Sequence, residues 1–168
     1  MLPLIDYARI ARTPKVICGY SDVTALLSAI QVQTGLVTFH GPMGTSEWNA
    51  FNWQGFRGAL MEAQPLLLSN PVETGDSLVP RTGRTRTLRG GRAEGRLVGG
   101  NLTVLAALAG SRYFPDFNGA VLGLEEVNET LYRVDRTLST LKLAGALDKL
   151  AGVVLGGFTN CGPGEGHY

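Results

Sequence analysis

The feature that most constrains the fold is an apolar strand pattern followed directly by a helical pattern and then by a second strand. Residues 16–18 are apolar, and the apolar side chains of residues 22–33 recur at helical spacing. Gly35 stands where a helix C-cap would, and residues 36–39, LVTF, begin the next strand. Because the connections are short, this strand–helix–strand unit predicts a parallel sheet and the α/β class of fold.

The rest of the chain alternates between similar patterns. They predict helices over residues 49–63, 101–110 and 130–147, and strands or extended segments over 65–69, 95–100, 119–127 and 150–158. Between residues 70 and 92 the composition changes to Pro, Gly, Thr, Ser and Arg, which is typical of a linker or an exposed hairpin edge. We therefore expect one unit over residues 1–70, a linker over 71–92 and a second unit over 93–168.

Composition and charge exclude several classes of partner. The formal net charge is +1, so there is no electrostatic case for binding nucleic acid or an anionic membrane surface. No apolar run approaches the roughly 20 residues of a membrane span. The two cysteines, Cys18 and Cys161, have no metal-binding spacing and are too few for a disulfide framework. We expect a cytoplasmic protein with free thiols, without metal or cofactor and without a nucleic acid or membrane partner.

Ser21 lies at the predicted corner between the first strand and the first helix, two residues after Gly19. One interpretation is an N-cap, in which an oxygen of Ser21 or Asp22 accepts a free N–H of the helix. The other is a nucleophile elbow, in which the tight turn presents the hydroxyl above the sheet and the Asp22 N–H stabilises an oxyanion. The fifth position of the usual G-x-S-x-G elbow is Val23 here, so these residues alone leave both interpretations open.

Glu125 and Glu126 end a predicted parallel strand, where ligands of open α/β sheets bind. Neighbouring strand residues face opposite ways, so the two carboxylates serve different roles. Either both are surface or helix-capping charges, or one of them orients a histidine beside a serine nucleophile. The chain has two histidines. We expect a structural hydrogen-bonding role for His40 and a solvated, disordered His167, and we assign the role of general base to neither.

Gly99, Gly100 and Asn101 form the start of the predicted helix over 101–110, with Asn101 as a plausible N-cap, and backbone N–H groups there can bind the carboxylate of a peptide. The segment GRLVGGNL is neither a Walker loop nor a complete G-x-G-x-x-G motif. An ordinary nucleotide-binding α/β domain is therefore only a weak third interpretation.

Several segments together resemble a known family. They are GYSDVTALL, GLVTFHGPM, GGNLTVLAALAGSRYFPDF, GLEEVNETLYRVDRTLSTLKLAGAL and GVVLGGFTNC, in this order. They resemble the LD-carboxypeptidases, the serine peptidases of the muramoyl-tetrapeptide carboxypeptidase type. The resemblance implies a flavodoxin-like N-terminal part with a parallel sheet, joined to a C-terminal part of swivelling β/β/α type. It also implies a metal-free Ser-His-Glu triad with Ser21 as nucleophile, Glu125 as acid and the Asp22 N–H as an oxyanion donor.

The function implied by the resemblance is release of the terminal D-alanine from cytoplasmic murein tetrapeptide during cell-wall recycling, by a homodimer without a cofactor. A subgroup of the family cleaves peptide–nucleotide antibiotics of the microcin C type, which is one alternative. The other alternative is a non-catalytic module of the same fold that holds a peptide carboxylate at Gly99, Gly100 and Asn101.

The sequence also departs from the family pattern. In the family, the triad histidine follows the acid further along the chain in a short Gly-His segment, and additional strands precede the region matched here. His167 follows the GGFTNC strand too closely to take that role. We therefore expect this chain, taken alone, to lack the base and to have little or no activity. We also expect a parallel sheet without its first strands to expose an edge and one apolar face.

Overall fold

A computed structural model describes residues 1–67, 69–70 and 85–162, so His167 and most of the expected linker lie outside the described residues. The described helices are α1 (Tyr7–Arg12), α2 (Val23–Thr34), α3 (Ala50–Phe56), α4 (Leu102–Ala106) and α5 (Leu131–Leu143). The described strands are β1 (Cys18–Gly19), β2 (Phe39–His40), β3 (Leu97–Asn101), β4 (Val121–Val127) and β5 (Gly152–Thr159).

All of the described strand pairs are parallel. β1 pairs with β2, and β3, β4 and β5 form a second sheet in that order. The connection from β1 through α2 to β2 is the predicted strand–helix–strand unit, and Gly35 ends its helix with a φ of 73°. The α/β class with parallel sheets is therefore confirmed.

The chain divides into two compact units, one made of Met1–Met43 together with Ala93–Tyr168 and the other of Gly44–Arg92. In the first unit α2 packs against β3 and α4. The buried Thr24 hydroxyl there accepts a hydrogen bond from the Asn101 N–H at 3.1 Å. Segments that are distant in sequence thus share one unit. The division expected from the sequence, with parts over 1–70 and 93–168, stays a prediction.

The core of the first unit lies between one face of the second sheet and the helices α4 and α5. Along β4 the residues alternate in burial, and Leu122 and Leu124 face this core. Leu105 from α4 and Leu141 from α5 are fully buried against them. Burying side chains of this size contributes about 1.5–3 kcal/mol each, so the packing fixes the position of the carboxyl end of β4.

Within the Gly44–Arg92 unit, α3 begins at an Asn49 cap, whose side chain accepts from the Asn52 N–H at 2.9 Å. The helix predicted over residues 49–63 changes character at Arg57, where a wider turn closes with the Glu62 N–H bonded to the Arg57 carbonyl. The segment predicted as 65–69 has no regular structure at its described positions.

The strand β2 and the helix α4 are shorter than their patterns predict. β2 includes only the last residue of the predicted 36–39 segment, together with His40, because pairing with β1 begins at the bond from the Phe39 N–H to the Ile17 carbonyl. α4 ends at Ala106, after which tighter turns continue, with the Leu108 N–H bonded to the Leu105 carbonyl.

Some apolar surface of the first unit is exposed. On β5, Val153, Val154 and Leu155 are each about half exposed, at 54%, 58% and 49%. Val37, before β2, is 71% exposed. Among the described residues, no helix combines the length and the apolar character that crossing a membrane requires.

Candidate active site

The corner between β1 and α2 places Ser21 in a backbone conformation that is uncommon for a residue with a side chain. Its φ is 59°, in the left-handed region. Gly19 permits the turn, because a Cβ at that position would lie 2.7 Å from Cγ1 of Val23. A left-handed residue other than glycine costs of order 1 kcal/mol or more and is common at functional sites. The corner therefore has the backbone geometry expected of a nucleophile elbow.

The polar side chains of this corner do not cap α2. Asp22 occupies the N-cap position, and its side chain accepts no N–H of the first turn. Within the described part of the chain, the exposed Ser21 hydroxyl and the Asp22 N–H take part in no hydrogen bond. The structure thus does not have the capping interaction that was the alternative interpretation, while the catalytic roles of Ser21 and Asp22 stay predictions.

A cavity of about 370 Å³ lies beside this corner. Its size is in the range of small-molecule sites. The cavity brings four of the predicted site residues together, namely Ser21, Asp22, Asn101 and Glu125. The rest of its lining consists of Tyr20, Thr103, Val104, Glu126, Val127 and Glu129.

The start of α4 is held by Glu126, which is only 3% exposed. Its Oε1 accepts hydrogen bonds from Asn101 Nδ2 at 2.8 Å and from the Val127 N–H at 3.0 Å. Its Oε2 accepts from the Thr103 N–H at 2.9 Å and from the Thr103 hydroxyl at 2.6 Å. Burial by itself would raise the pKa of Glu126, but these hydrogen bonds hold that pKa below its ordinary value. Of the two adjacent acids, Glu126 is therefore the helix-capping charge.

The Gly-Gly-Asn segment is used by the fold itself. Asn101 caps α4 as predicted, since its side chain accepts an N–H of the first turn at 3.1 Å. Its own N–H donates to the Thr24 hydroxyl. Gly100 has a φ of 135°, and a Cβ there would lie 2.7 Å from the Thr24 side chain. The carboxylate that meets this helix start is the protein's own Glu126, and substrate binding by Gly99, Gly100 and Asn101 stays a prediction.

Glu125 faces the other side of β4, which confirms the expected opposition of the two acids. The pairing register with β5 shifts at this point, so that two glycines, Gly156 and Gly157, lie opposite Glu125. The His40 imidazole lies beside it, with Nε2 at 3.8 Å from Oε1 of Glu125.

His40 differs from its expected structural role. Among the described residues its imidazole makes no hydrogen bond, and the ring instead faces the Glu125 carboxylate. Burial lowers the pKa of His40 below its ordinary value, while the charge of Glu125 acts in the opposite direction. The lowered pKa favours the neutral form of the ring.

Sequence reasoning did not single out Thr24 and Thr103, and it did not foresee where His40 lies. Thr24 and Asn101 are 77 residues apart in sequence, and Thr103 and Glu126 are 23 apart. His40 was recognised as a strand-end histidine, but its position against Glu125 was not foreseen. The only local signal was for Thr103, because it is the second residue after the predicted N-cap Asn101 and so lies in the first turn of the helix.

The fold and the cavity define a class of protein: a parallel α/β unit with a candidate nucleophile at a strand–helix corner and a carboxylate at a strand end. Comparison with known proteins then identifies the family. The chain matches the LD-carboxypeptidase N-terminal domain over residues 1–41 and the LD-carboxypeptidase C-terminal domain over residues 94–167. The chain belongs to the LD-carboxypeptidase family, which confirms the resemblance drawn from its sequence.

Individual relatives agree with this assignment. The chain is 36% identical over 164 residues to the probable murein peptide carboxypeptidase of Bacillus subtilis, covering 95% of the chain and 48% of the relative. It is 32% identical over 178 residues to the microcin C7 self-immunity protein MccF of Escherichia coli, covering 93% and 52%. The chain therefore spans about half the length of the curated relatives it matches.

Solved structures of the family have the same fold. The muramoyltetrapeptide carboxypeptidase of Oxalobacter formigenes aligns with a TM-score of 0.76 at 32% identity, over 94% of this chain and 51% of that one. MccF in complex with glutamyl sulfamoyl guanosine aligns with a TM-score of 0.72 at 29% identity, over 98% and 55%.

Proposed function

We propose that this chain is part of a serine-type LD-carboxypeptidase that releases the terminal D-alanine from murein tetrapeptide in the cytoplasm, during cell-wall recycling. The observation that carries the proposal is the left-handed corner at Ser21, with a φ of 59° and an unbonded, exposed hydroxyl in the same cavity as Glu125. The murein peptide carboxypeptidase among its relatives supports the choice of substrate.

In this proposal the Ser21 oxygen attacks the carbonyl carbon of the L-to-D peptide bond. A histidine base takes the hydroxyl proton, and the Asp22 N–H stabilises the oxyanion that forms. The Glu125 carboxylate orients that histidine and stabilises its protonated form. The base then gives its proton to the leaving nitrogen of D-alanine, and water hydrolyses the acyl-enzyme.

The histidine base is not assigned to either histidine of this chain. The imidazole of His40 lies beside the Glu125 carboxylate, and we do not assign it as the base for Ser21. His167 lies outside the described residues. We propose that the chain taken alone is inactive, because serine without its base is a poor nucleophile at neutral pH. We also propose a homodimer that needs no cofactor, with an N-terminal part over 1–70 and a C-terminal part over 93–168.

Replacing the nucleophile tests the proposal in the full-length protein. Ser21→Ala should abolish labelling by a fluorophosphonate probe and reduce D-alanine release from murein tetrapeptide by on the order of 10³-fold or more. The matched control is Ser139→Ala, at an exposed position on α5, which should leave both unchanged. Full D-alanine release by the Ser21→Ala protein would rule the proposal out.

Two alternatives stay open at the same site. A peptide–nucleotide hydrolase is favoured by the likeness to the MccF structure with glutamyl sulfamoyl guanosine. Hydrolysis of an aminoacyl sulfamoyl nucleoside, without release of D-alanine from tetrapeptide, would support it. A non-catalytic peptide-binding module would bind tetrapeptide in calorimetry and hydrolyse neither compound.

A further inference from the structure

One carboxylate oxygen in the cavity is buried without a partner. Oε1 of Glu125 accepts no hydrogen bond from the described residues, although the side chain as a whole is 27% exposed. An unsatisfied buried acceptor costs about 1–3 kcal/mol. Nε2 of His40, at 3.8 Å, is too far for a hydrogen bond but close enough to form one after a small side-chain movement.

The backbone holds His40 in this position. Its strand is fixed to the strand that precedes Ser21, through the bond from the Gly41 N–H to the Gly19 carbonyl at 3.0 Å. Its other ring nitrogen, Nδ1, lies beside β3, where a Cβ on Gly100 would approach within 3.2 Å. The imidazole therefore extends from β2 over β3 to Glu125 on β4, and the absence of a side chain at Gly100 makes room for it.

The surroundings of the ring determine its charge. β4 presents the Glu125 carboxylate to Nε2, β3 presents Gly100, and α2 presents Thr24 beside Gly100. Of these three groups only the carboxylate carries a charge. Desolvation of the ring outweighs the attraction of the carboxylate, which favours the neutral imidazole with its single N–H to donate.

We propose that His40 is a positioning residue for Glu125: after a small side-chain movement its Nε2–H donates to Oε1, which leaves Oε2 free to orient the histidine base. The inference rests on the proposed serine peptidase function. His40 contacts neither Ser21 nor substrate in this arrangement. The hydrogen bond from His40 restricts the rotation of the Glu125 side chain. Hydrogen bonds from supporting residues restrict catalytic side chains in this way generally.

Kinetics of two variants in the full-length protein test the role. His40→Ala removes the donor, whereas His40→Gln keeps an N–H group near the position of Nε2. We expect His40→Ala to lower kcat for D-alanine release by about 10-fold, with KM changed less than about twofold. His40→Gln should recover most of the loss. Unchanged kcat in His40→Ala, or equal losses in both variants, would overturn the proposal.

A second measurement does not depend on activity. The pKa of His40 is followed by NMR in the full-length protein and in its Glu125→Gln variant. If the two groups face each other as proposed, the His40 pKa falls in the variant, because the carboxylate that favours the imidazolium has become neutral. If the His40 pKa does not change in the variant, the pairing of His40 with Glu125 is refuted, whether or not the protein has peptidase activity. If the pKa falls but the full-length protein has no peptidase activity, only the proposed function is refuted.

Discussion

At the scale of single residues, the candidate site depends on one unfavourable backbone conformation. Ser21 adopts a φ of 59° although it has a Cβ, and neither its hydroxyl nor the side chain of Asp22 gains a capping bond in return. The backbone carbonyls of Tyr20 and Ser21 accept the Val23 and Thr24 N–H groups, but no side chain of the corner adds a hydrogen bond. The packing of α2 through its buried residues, among them Thr24 and Leu27, is what holds the corner in place.

This strain predicts that Ser21→Gly stabilises the protein. Glycine adopts a left-handed φ without the steric penalty of a side chain, so the free energy of unfolding should rise by about 1 kcal/mol. Ser21→Ala keeps the Cβ and is the matched control, with stability close to that of the parent protein. Urea denaturation of the three proteins measures the difference. Equal stability of the Gly and Ala variants would show that the corner is not strained.

Some features of single residues could be predicted from the sequence, and others could not. The corner at Ser21 and the opposed faces of Glu125 and Glu126 follow from local pattern, because strand ends and turn residues are local properties. The position of His40 against Glu125 depends on how the two sheets are placed. No spacing in the sequence contains that information.

At the scale of elements, α4 is a short helix stabilised by groups from outside it. Its five residues are too few to be stable alone. Asn101 caps it, and the buried Glu126 carboxylate on β4 accepts hydrogen bonds from both Asn101 and Thr103. The pattern predicted the helix and its cap correctly. It overestimated the length, because where the helix ends is decided by packing rather than by propensity.

Glu126→Gln should destabilise the first unit, because the amide nitrogen of glutamine cannot accept the hydrogen bonds that one carboxylate oxygen accepts. We expect a loss of about 2–3 kcal/mol in the free energy of unfolding near pH 7. Asp135→Asn, at an exposed position on α5, removes the same charge and should have little effect.

The same carboxylate predicts an acid-dependent stability. The pKa of Glu126 is lower in the folded protein than its ordinary value of 4.5. Its contribution is therefore fully present above pH 4.5 and is lost as the pH falls through the folded-state pKa. Urea midpoints measured from pH 7 downward should fall less steeply in Glu126→Gln than in the parent protein. Parallel curves would contradict the assignment of Glu126 as a charged anchor.

At the scale of the whole molecule, the first unit is assembled from two separate parts of the chain. Residues 1–43 supply the Ser21 corner and His40, while the part that begins at Ala93 supplies the second sheet with Glu125. The segment before Ala93 is exposed from residue 85 onward and has no helix or strand. Contacts inside the first unit, such as the bond between Thr24 and Asn101, therefore connect the two parts independently of the chain that joins them.

Limited proteolysis tests this arrangement. Trypsin should cleave early at the exposed Arg86, Arg89 or Arg92, because extended exposed backbone fits a protease site. The two products should remain associated in gel filtration under native conditions, since residues 1–43 and 93–162 share a core, and should separate in urea. Separation under native conditions would mean that the unit depends on the covalent connection.

This division of the first unit has a consequence for biosynthesis. A ribosome makes the serine corner early and the carboxylate strand late, and the cavity between them does not exist until β4 has left the exit tunnel and packed. A nascent chain that stalls halfway carries an accessible serine with no acid beside it. The cavity that Ser21 and Glu125 line thus forms only after the second part of the first unit has been made.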